Sequence, residues 1–196
     1  MLEDEYIAAD PRWSDKLVVV SGCSGGGKSS LLSEMAARGY PVVPEPGRQV
    51  VKEQLSIGGD GLPWANIARF VELCVSRAMF YYNTARPIGK PALFDRSILD
   101  NVAGLARLGL PVPEFLHEAV RRYRYSPRVF MIPPWKELFS RDPERRHSFE
   151  EAEAEYVALL AAYPAHAYEP TIVPRKSIGE RADFLEEQLG YRPLHR

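Results

Sequence analysis

The chain has 196 residues, 45% of them hydrophobic and 26% charged, with a formal net charge of −1, which suits one ordinary domain with a core of useful size. Near-neutral charge argues against nucleic-acid binding as its main business, because phosphate contacts need clustered Lys and Arg. No run of about 18 apolar residues occurs, and the acidic start Met1-Leu2-Glu3-Asp4-Glu5 lacks the basic-then-apolar order of a secretory signal. A soluble, cytoplasmic protein with no membrane association is expected. The two cysteines, Cys23 and Cys74, suggest neither a disulfide framework nor a zinc site.

Residues 1–14 read as a flexible leader and residues 15–196 as a single domain. Apolar runs of strand length then alternate with helical patterns, the signature of βαβ units and a parallel sheet. A first strand is predicted over residues 16–21 and a first helix over 28–38, with Leu31, Leu32 and Met35 on one face and Gly39 as the stop. A short second strand at 40–43 and a helix at 48–55 lead into Gly58-Gly59-Asp60-Gly61, a flexible turn. Residues 63–83 read as a long helix on which Ile67, Phe70, Val71, Cys74, Ala78 and Met79 recur at helical spacing, a core stripe rather than a set of ligand contacts. A third strand at 91–95 precedes helices at 98–108 and 113–124, and a fourth strand spans 128–132. Capping boxes at Ser148-x-x-Glu151 and Ser177-x-x-Glu180 open two later helices ending near 163 and 190, with a fifth strand at 171–173 between them. The expected fold is a three-layer α/β/α sandwich around a five-stranded parallel sheet, with ligands at the C-terminal ends of the strands.

The run Gly22-Cys23-Ser24-Gly25-Gly26-Gly27-Lys28-Ser29 fits G-x-x-x-x-G-K-S/T and sits between a strand and a helix, where that pattern has a mechanism. Its glycines permit positive φ and bring N–H groups around the α- and β-phosphates of ATP, while the helix presents its positive dipole end to the same charge. Gly22, Ser24, Gly25, Gly26, Gly27 and Ser30 are expected to cradle the triphosphate. Lys28 should reach the β/γ-phosphates as a catalytic residue, and the Ser29 hydroxyl should ligate Mg²⁺. The fold is then that of the P-loop NTPases.

Three further places lie just after predicted strands. Asp95, at the end of Ala92-Leu93-Phe94-Asp95, can hold Mg²⁺ or act as general base, with a helix cap as the structural alternative. Arg96 beside it could grip a substrate or the transferred phosphoryl group, or form an ion pair. In Pro44-Glu45-Pro46-Gly47-Arg48, Glu45 can accept a proton or hydrogen bond from an acceptor molecule while Arg48 binds an anion. In Arg141-Asp142-Pro143-Glu144-Arg145-Arg146-His147, Arg141 or Arg145 is expected to neutralise charge on the transferring group when a lid closes, with His147 at the surface. Arg175, after the fifth strand, is expected to stack on adenine.

With these residues in hand, residues 18–30, the Glu45-x-x-Arg48 element, Phe94-Asp95-Arg96-Ser97 and the arginine loop resemble the AAA-type P-loop ATPase group that includes the nicotinamide riboside kinase domain. The resemblance runs from residue 16 to 190, with only the phosphate loop highly specific. The same parts resemble deoxynucleoside kinases, a likeness that implies Glu45 as catalytic base with Arg96 as its partner. The chain departs from that pattern in lacking a tryptophan a few residues after the Glu; the nearest downstream is Trp64. No Asn-Lys-x-Asp base-reading element of a GTPase and no Leu-Ser-Gly-Gly-Gln element of a transporter ATPase is present. Two functions remain: a small-molecule kinase that moves the γ-phosphoryl group of Mg²⁺·ATP to an acceptor, and an ATP-dependent regulatory switch acting on a protein partner. The acceptor's identity and the oligomeric state are not legible in the sequence.

Overall fold

The computed structural model describes residues 6–139 and 148–191. Its centre is β1 (Leu17–Gly22), of sequence Leu-Val-Val-Val-Ser-Gly, buried at every position. That unbroken apolar run is what a parallel strand covered on both faces requires. β1 pairs in parallel with β3 (Ala92–Asp95) on one side and β4 (Arg128–Ile132) on the other. The short β2 (Val42–Val43) adds beyond β3, and β5 (Glu169–Ile172) beyond β4. The order β2-β3-β1-β4-β5 is the five-stranded parallel sheet expected from the sequence. β2 and β3 lie to one side of β1 and β4 and β5 to the other, so the winding reverses across β1 and a crevice opens at its C-terminal end, where such sheets bind ligands.

Period-two alternation sorts the strand residues between two cores. Leu17, Val19, Phe94, Val129 and Met131 face one cluster with residues of α3 (Ile67–Thr84), α4 (Ile98–Arg107), α5 (Glu114–Arg122) and α6 (Phe149–Ala165). Val18, Val20, Leu93, Phe130 and Ile132 face the other, against α1 (Lys28–Ala37) and α7 (Ile178–Gln188). The result is the three-layer α/β/α P-loop fold. No described helix is long and apolar enough to cross a membrane.

Several boundaries move, each for a local reason. α2 (Pro46–Ile57) begins two residues before the expected start, because proline at its first position is already set for helical φ. α3 starts at Ile67, where the Asn66 side chain accepts the Arg69 N–H as N-cap. Both expected capping boxes form, at Ser148–Glu151 and Ser177–Glu180, and a third, Ser97–Asp100, opens α4. Asp95 is therefore not the cap of the helix that follows it. In the segment read as a leader, the Ala9 N–H donates to Asn83 on α3, whose side chain also donates to the Tyr6 hydroxyl, and a 3-10 turn occupies Pro11–Lys16.

Gly22 closes β1 with φ +129°, and a Cβ added there would lie 2.3 Å from the Ile132 carbonyl oxygen on the neighbouring strand. Neither the dihedral nor the space admits a side chain. Gly22→Ala should lower unfolding stability by about 3 kcal/mol or more, measured by urea denaturation; a loss under about 1 kcal/mol would show that the β1–β4 seam can part at no great cost.

Candidate active site

The loop from β1 to α1 encloses a cavity of about 180 Å³ lined by Cys23, Ser24, Gly25, Gly27, Lys28, Ser29 and Ser30 together with Glu45, Arg48, Arg96 and Leu138. Gly27 takes the left-handed conformation and Lys28 opens α1, so the first-turn N–H groups face a space of phosphate size. Lys28 is buried and ion-paired with Asp95. The strand register explains the meeting: Val20 of β1 pairs with Asp95 of β3, which puts the carboxylate beside the loop that β1 feeds. Asp95 lies among the lining of neither this cavity nor the larger one beside it.

The Ser29 and Ser30 residues are exposed at the cavity rim. The described residues contain no cluster of three or more His, Cys, Asp or Glu able to cage a metal. The Ser29 hydroxyl at the rim of a phosphate-sized pocket, with the Asp95 carboxylate behind Lys28, fits Mg²⁺, which keeps most of its waters and is held by one or two protein groups and substrate phosphates.

Arg96 follows β3 directly with φ +73°, a left-handed conformation that turns the chain while its N–H still donates to the Val20 carbonyl. The side chain runs between three elements. Its Nη1 donates to Glu155 on α6 at 2.8 Å and lies 3.5 Å from Asp100 on α4; its Nε sits 3.2 Å from Glu45 at the head of α2. The Nε has no aligned acceptor, so the Glu45 contact is an ion pair rather than a hydrogen bond. Burial by itself would weaken the charge of Arg96, but Glu155, Glu45 and Asp100 overcome it and hold the pKa above its ordinary value. Asp100 is further satisfied by the Ser21 hydroxyl, the Ser97 N–H and hydroxyl at 2.8 and 3.0 Å, and the Tyr163 hydroxyl at 2.6 Å. Burial and Asp100 together push the Tyr163 phenol well above its ordinary pKa, which keeps it a donor.

A second cavity of about 350 Å³ adjoins the first, at the lower end of the size range of small-molecule sites. Its walls come from Glu45, Gly47 and Arg48 of the β2–α2 region, Ile67, Phe70, Val71 and Cys74 of α3, Asn101 and Arg107 of α4, and Glu151 and Glu155 of α6. Ser24, Glu45, Arg48 and Arg96 line both cavities.

The stripe on α3 packs in the core as expected, and Ile67, Phe70, Val71 and Cys74 in its first half also form cavity wall. Sequence reading missed Phe70, Asn101, Glu151 and Glu155 as site residues. The capping box offered a signal for the last two, since Glu151 and Glu155 are one turn apart and share a face of α6. Glu45, Arg48, Arg96, Lys28, Ser29 and Ser30 are brought together as expected. Arg175 donates to the Pro134 carbonyl at 2.7 Å, which ties the loops after β4 and β5, and it lines neither cavity. Trp64 also lies outside both linings. Arg141, Arg145 and His147 fall outside the described residues.

The family model described as an AAA domain matches residues 17–181 of the chain. No curated protein matches the sequence significantly. Among solved structures, the deoxyadenosine kinase of M. mycoides with bound dATP is similar at 14% identity and a TM-score of 0.54, over 88% of this chain and 98% of that one. The same enzyme with its products gives 13% identity and a TM-score of 0.58, over 88% and 97%. The thymidylate kinase of Ehrlichia chaffeensis is similar at 14% identity and a TM-score of 0.57, over 90% and 99%.

Both thiols of the site region are buried and free. Burial, aided by Glu155, pushes Cys23 up to about 11, and burial aided by Glu45 pushes Cys74 up to about 12, from 9.0. Iodoacetamide at pH 8 should leave both unmodified in the folded protein and label both in urea, counted by mass spectrometry. Because the folded-state values are raised, the contribution of these thiols to stability is full below pH 9.0 and is lost as pH rises toward 11 and 12. Fast labelling of the folded protein would contradict the burial of these groups.

Proposed function

Because the chain belongs to the AAA domain family and carries the P-loop fold, we propose that residues 15–196 act as one cytoplasmic small-molecule kinase domain. It transfers the γ-phosphoryl group of ATP to a hydroxyl of a nucleoside-, nucleotide- or vitamin-precursor-sized acceptor. The observation that carries this reading is the shared wall: Ser24, Glu45, Arg48 and Arg96 belong at once to the phosphate cavity and to the larger one. An acceptor in the larger cavity would have its hydroxyl at the open end of the triphosphate, which is the proximity that phosphoryl transfer needs. The folds of a deoxyadenosine kinase and a thymidylate kinase are in keeping with it. A regulatory switch acting on a protein partner, the other reading of the loop, has no use for a second enclosed cavity beside the phosphates.

In this scheme the loop N–H groups and Lys28 bind the phosphates, and Lys28 exchanges part of its pairing with Asp95 for the β/γ-oxygens. Glu45 is the general base: its carboxylate faces both cavities, it does not serve as a side-chain cap for α2, and Arg96 fixes its position. Asp95, turned toward Lys28, is a poorer base and a better support. The acceptor oxygen bonds to the γ-phosphorus as the bridge to the β-phosphate breaks, its proton passes to Glu45, and ADP leaves. Ser29 and Asp95 would hold Mg²⁺, whose contribution is to neutralise charge on the β- and γ-phosphates. Arg48 and Arg96, which line both cavities, would neutralise charge on the transferring group.

The test is ADP release from Mg²⁺·ATP, alone and with a panel of nucleosides, nucleotides and nicotinamide riboside. One acceptor should stimulate release strongly. Lys28→Ala should abolish it, and Glu45→Gln should cut kcat at least ~100-fold with ATP affinity within about twofold of wild type. A slow rate indifferent to every acceptor, yet lost in Lys28→Ala, would turn the reading to the ATP-driven switch.

A further inference from the structure

Behind the phosphate loop lies a charge that the scheme above does not use. Arg181, on α7, is 2% exposed. Its Nη2 donates to the Gly26 carbonyl at 3.0 Å, its Nε has no partner, and it forms no ion pair with any carboxylate among the described residues. Its Nη1 approaches so closely that a Cβ at Gly27 would stand 2.9 Å from it. Buried arginines are ordinarily paired, because an uncompensated charge away from water is expensive. Burial lowers the pKa of Arg181 without neutralising a group of this basicity.

The peptide unit explains what such a contact does. In a trans peptide the C=O of one residue and the N–H of the next point in opposite directions. Gly26 is buried and is absent from the lining of the phosphate cavity, whereas Gly27 lines it. Drawing the Gly26 carbonyl back toward α7 therefore aims the Gly27 N–H at the cavity. The guanidinium also places one unpaired positive charge directly beneath the loop, shielded from solvent and so little screened by salt.

We propose that Arg181 is a positioning residue for the triphosphate: from the far side of the loop it fixes the Gly26–Gly27 peptide with its N–H toward the phosphates and supplies a buried positive charge that the bound anion compensates. This rests on the reading of the loop as a triphosphate site. A purely structural brace makes a different forecast, since removing it would loosen the free protein, whereas removing an uncompensated charge leaves the free protein as stable or more stable.

The experiment is calorimetric titration of Mg²⁺·ATP, with Tm of the free protein, for wild type, Arg181→Met and Arg181→Lys at about 0.15 M salt. Arg181→Met should weaken ATP binding at least about tenfold with a Tm equal to or above that of wild type, and Arg181→Lys should fall between the two, because a buried lysine keeps the charge only in part. Should Arg181→Met not fold, Arg181→Gln takes its place, keeping a donor without the charge. ATP binding by the neutral variant within about twofold of wild type would overturn the proposal, as would a free-protein Tm of the neutral variant well below that of wild type. Failure of the wild type itself to bind ATP would instead refute the triphosphate site, and the role of Arg181 with it.

Discussion

One guanidinium holds the walls of the two cavities in register. Arg96 leaves the end of β3 and meets Glu45 from the head of α2, Asp100 one turn on in α4 and Glu155 from α6, so three regions of the chain converge on a single planar cation. Such a network is strong to the degree that its members are satisfied: the oxygens of Asp100 are taken by Ser21, Ser97 and Tyr163, while the Arg96 Nε meets Glu45 by charge alone. Ser21 stands immediately before the phosphate loop. The wall of the larger cavity and the floor of the smaller one are thereby parts of one hydrogen-bonded body.

The phosphate loop shows a different economy of charge. Lys28 is paired with Asp95, and Arg181 with no carboxylate among the described residues, so the two cations at the loop are held differently. An incoming polyphosphate meets a surface already short of negative charge, and the lysine can divide its contacts between carboxylate and phosphate without being stripped bare at any stage. Burying a charge pair contributes little to stability by itself; its use here is to keep a long, flexible side chain stretched along the direction in which the ligand lies.

Much of this was legible in the residues. β1, β3 and β4 are unbroken apolar runs because both their faces are covered, and that pattern is read without a structure. The phosphate loop is written in glycines, and the Glu45–Arg96 partnership followed from the resemblance to deoxynucleoside kinases. Other features were hidden for physical reasons. Periodicity on α3 reports that Phe70 and Cys74 face inward, yet it cannot say whether inward means a neighbouring helix or an enclosed space. Glu155 lies 59 residues from Arg96, and its position on an acidic helix face looks the same as that of a solvated carboxylate. Arg181 looks like an ordinary helical arginine, because only the packing of α7 against the loop removes it from water.

The left-handed backbone at Arg96 makes that position unusually hard to change one step at a time. A glycine there would relieve roughly 1–3 kcal/mol of backbone strain but leave three facing carboxylates without their cation; a lysine would keep the charge and lose both the fork and the relief. Neutralising an acidic partner alone leaves the strain in place with less to hold it. Substitution at residues 45, 96, 100 and 155 is therefore epistatic, and descendants of this chain should exchange the four as a block. Their joint variation across relatives would mark the meeting of the two cavities even where the phosphate loop, common to so many ATP-binding proteins, does not distinguish one chemistry from another.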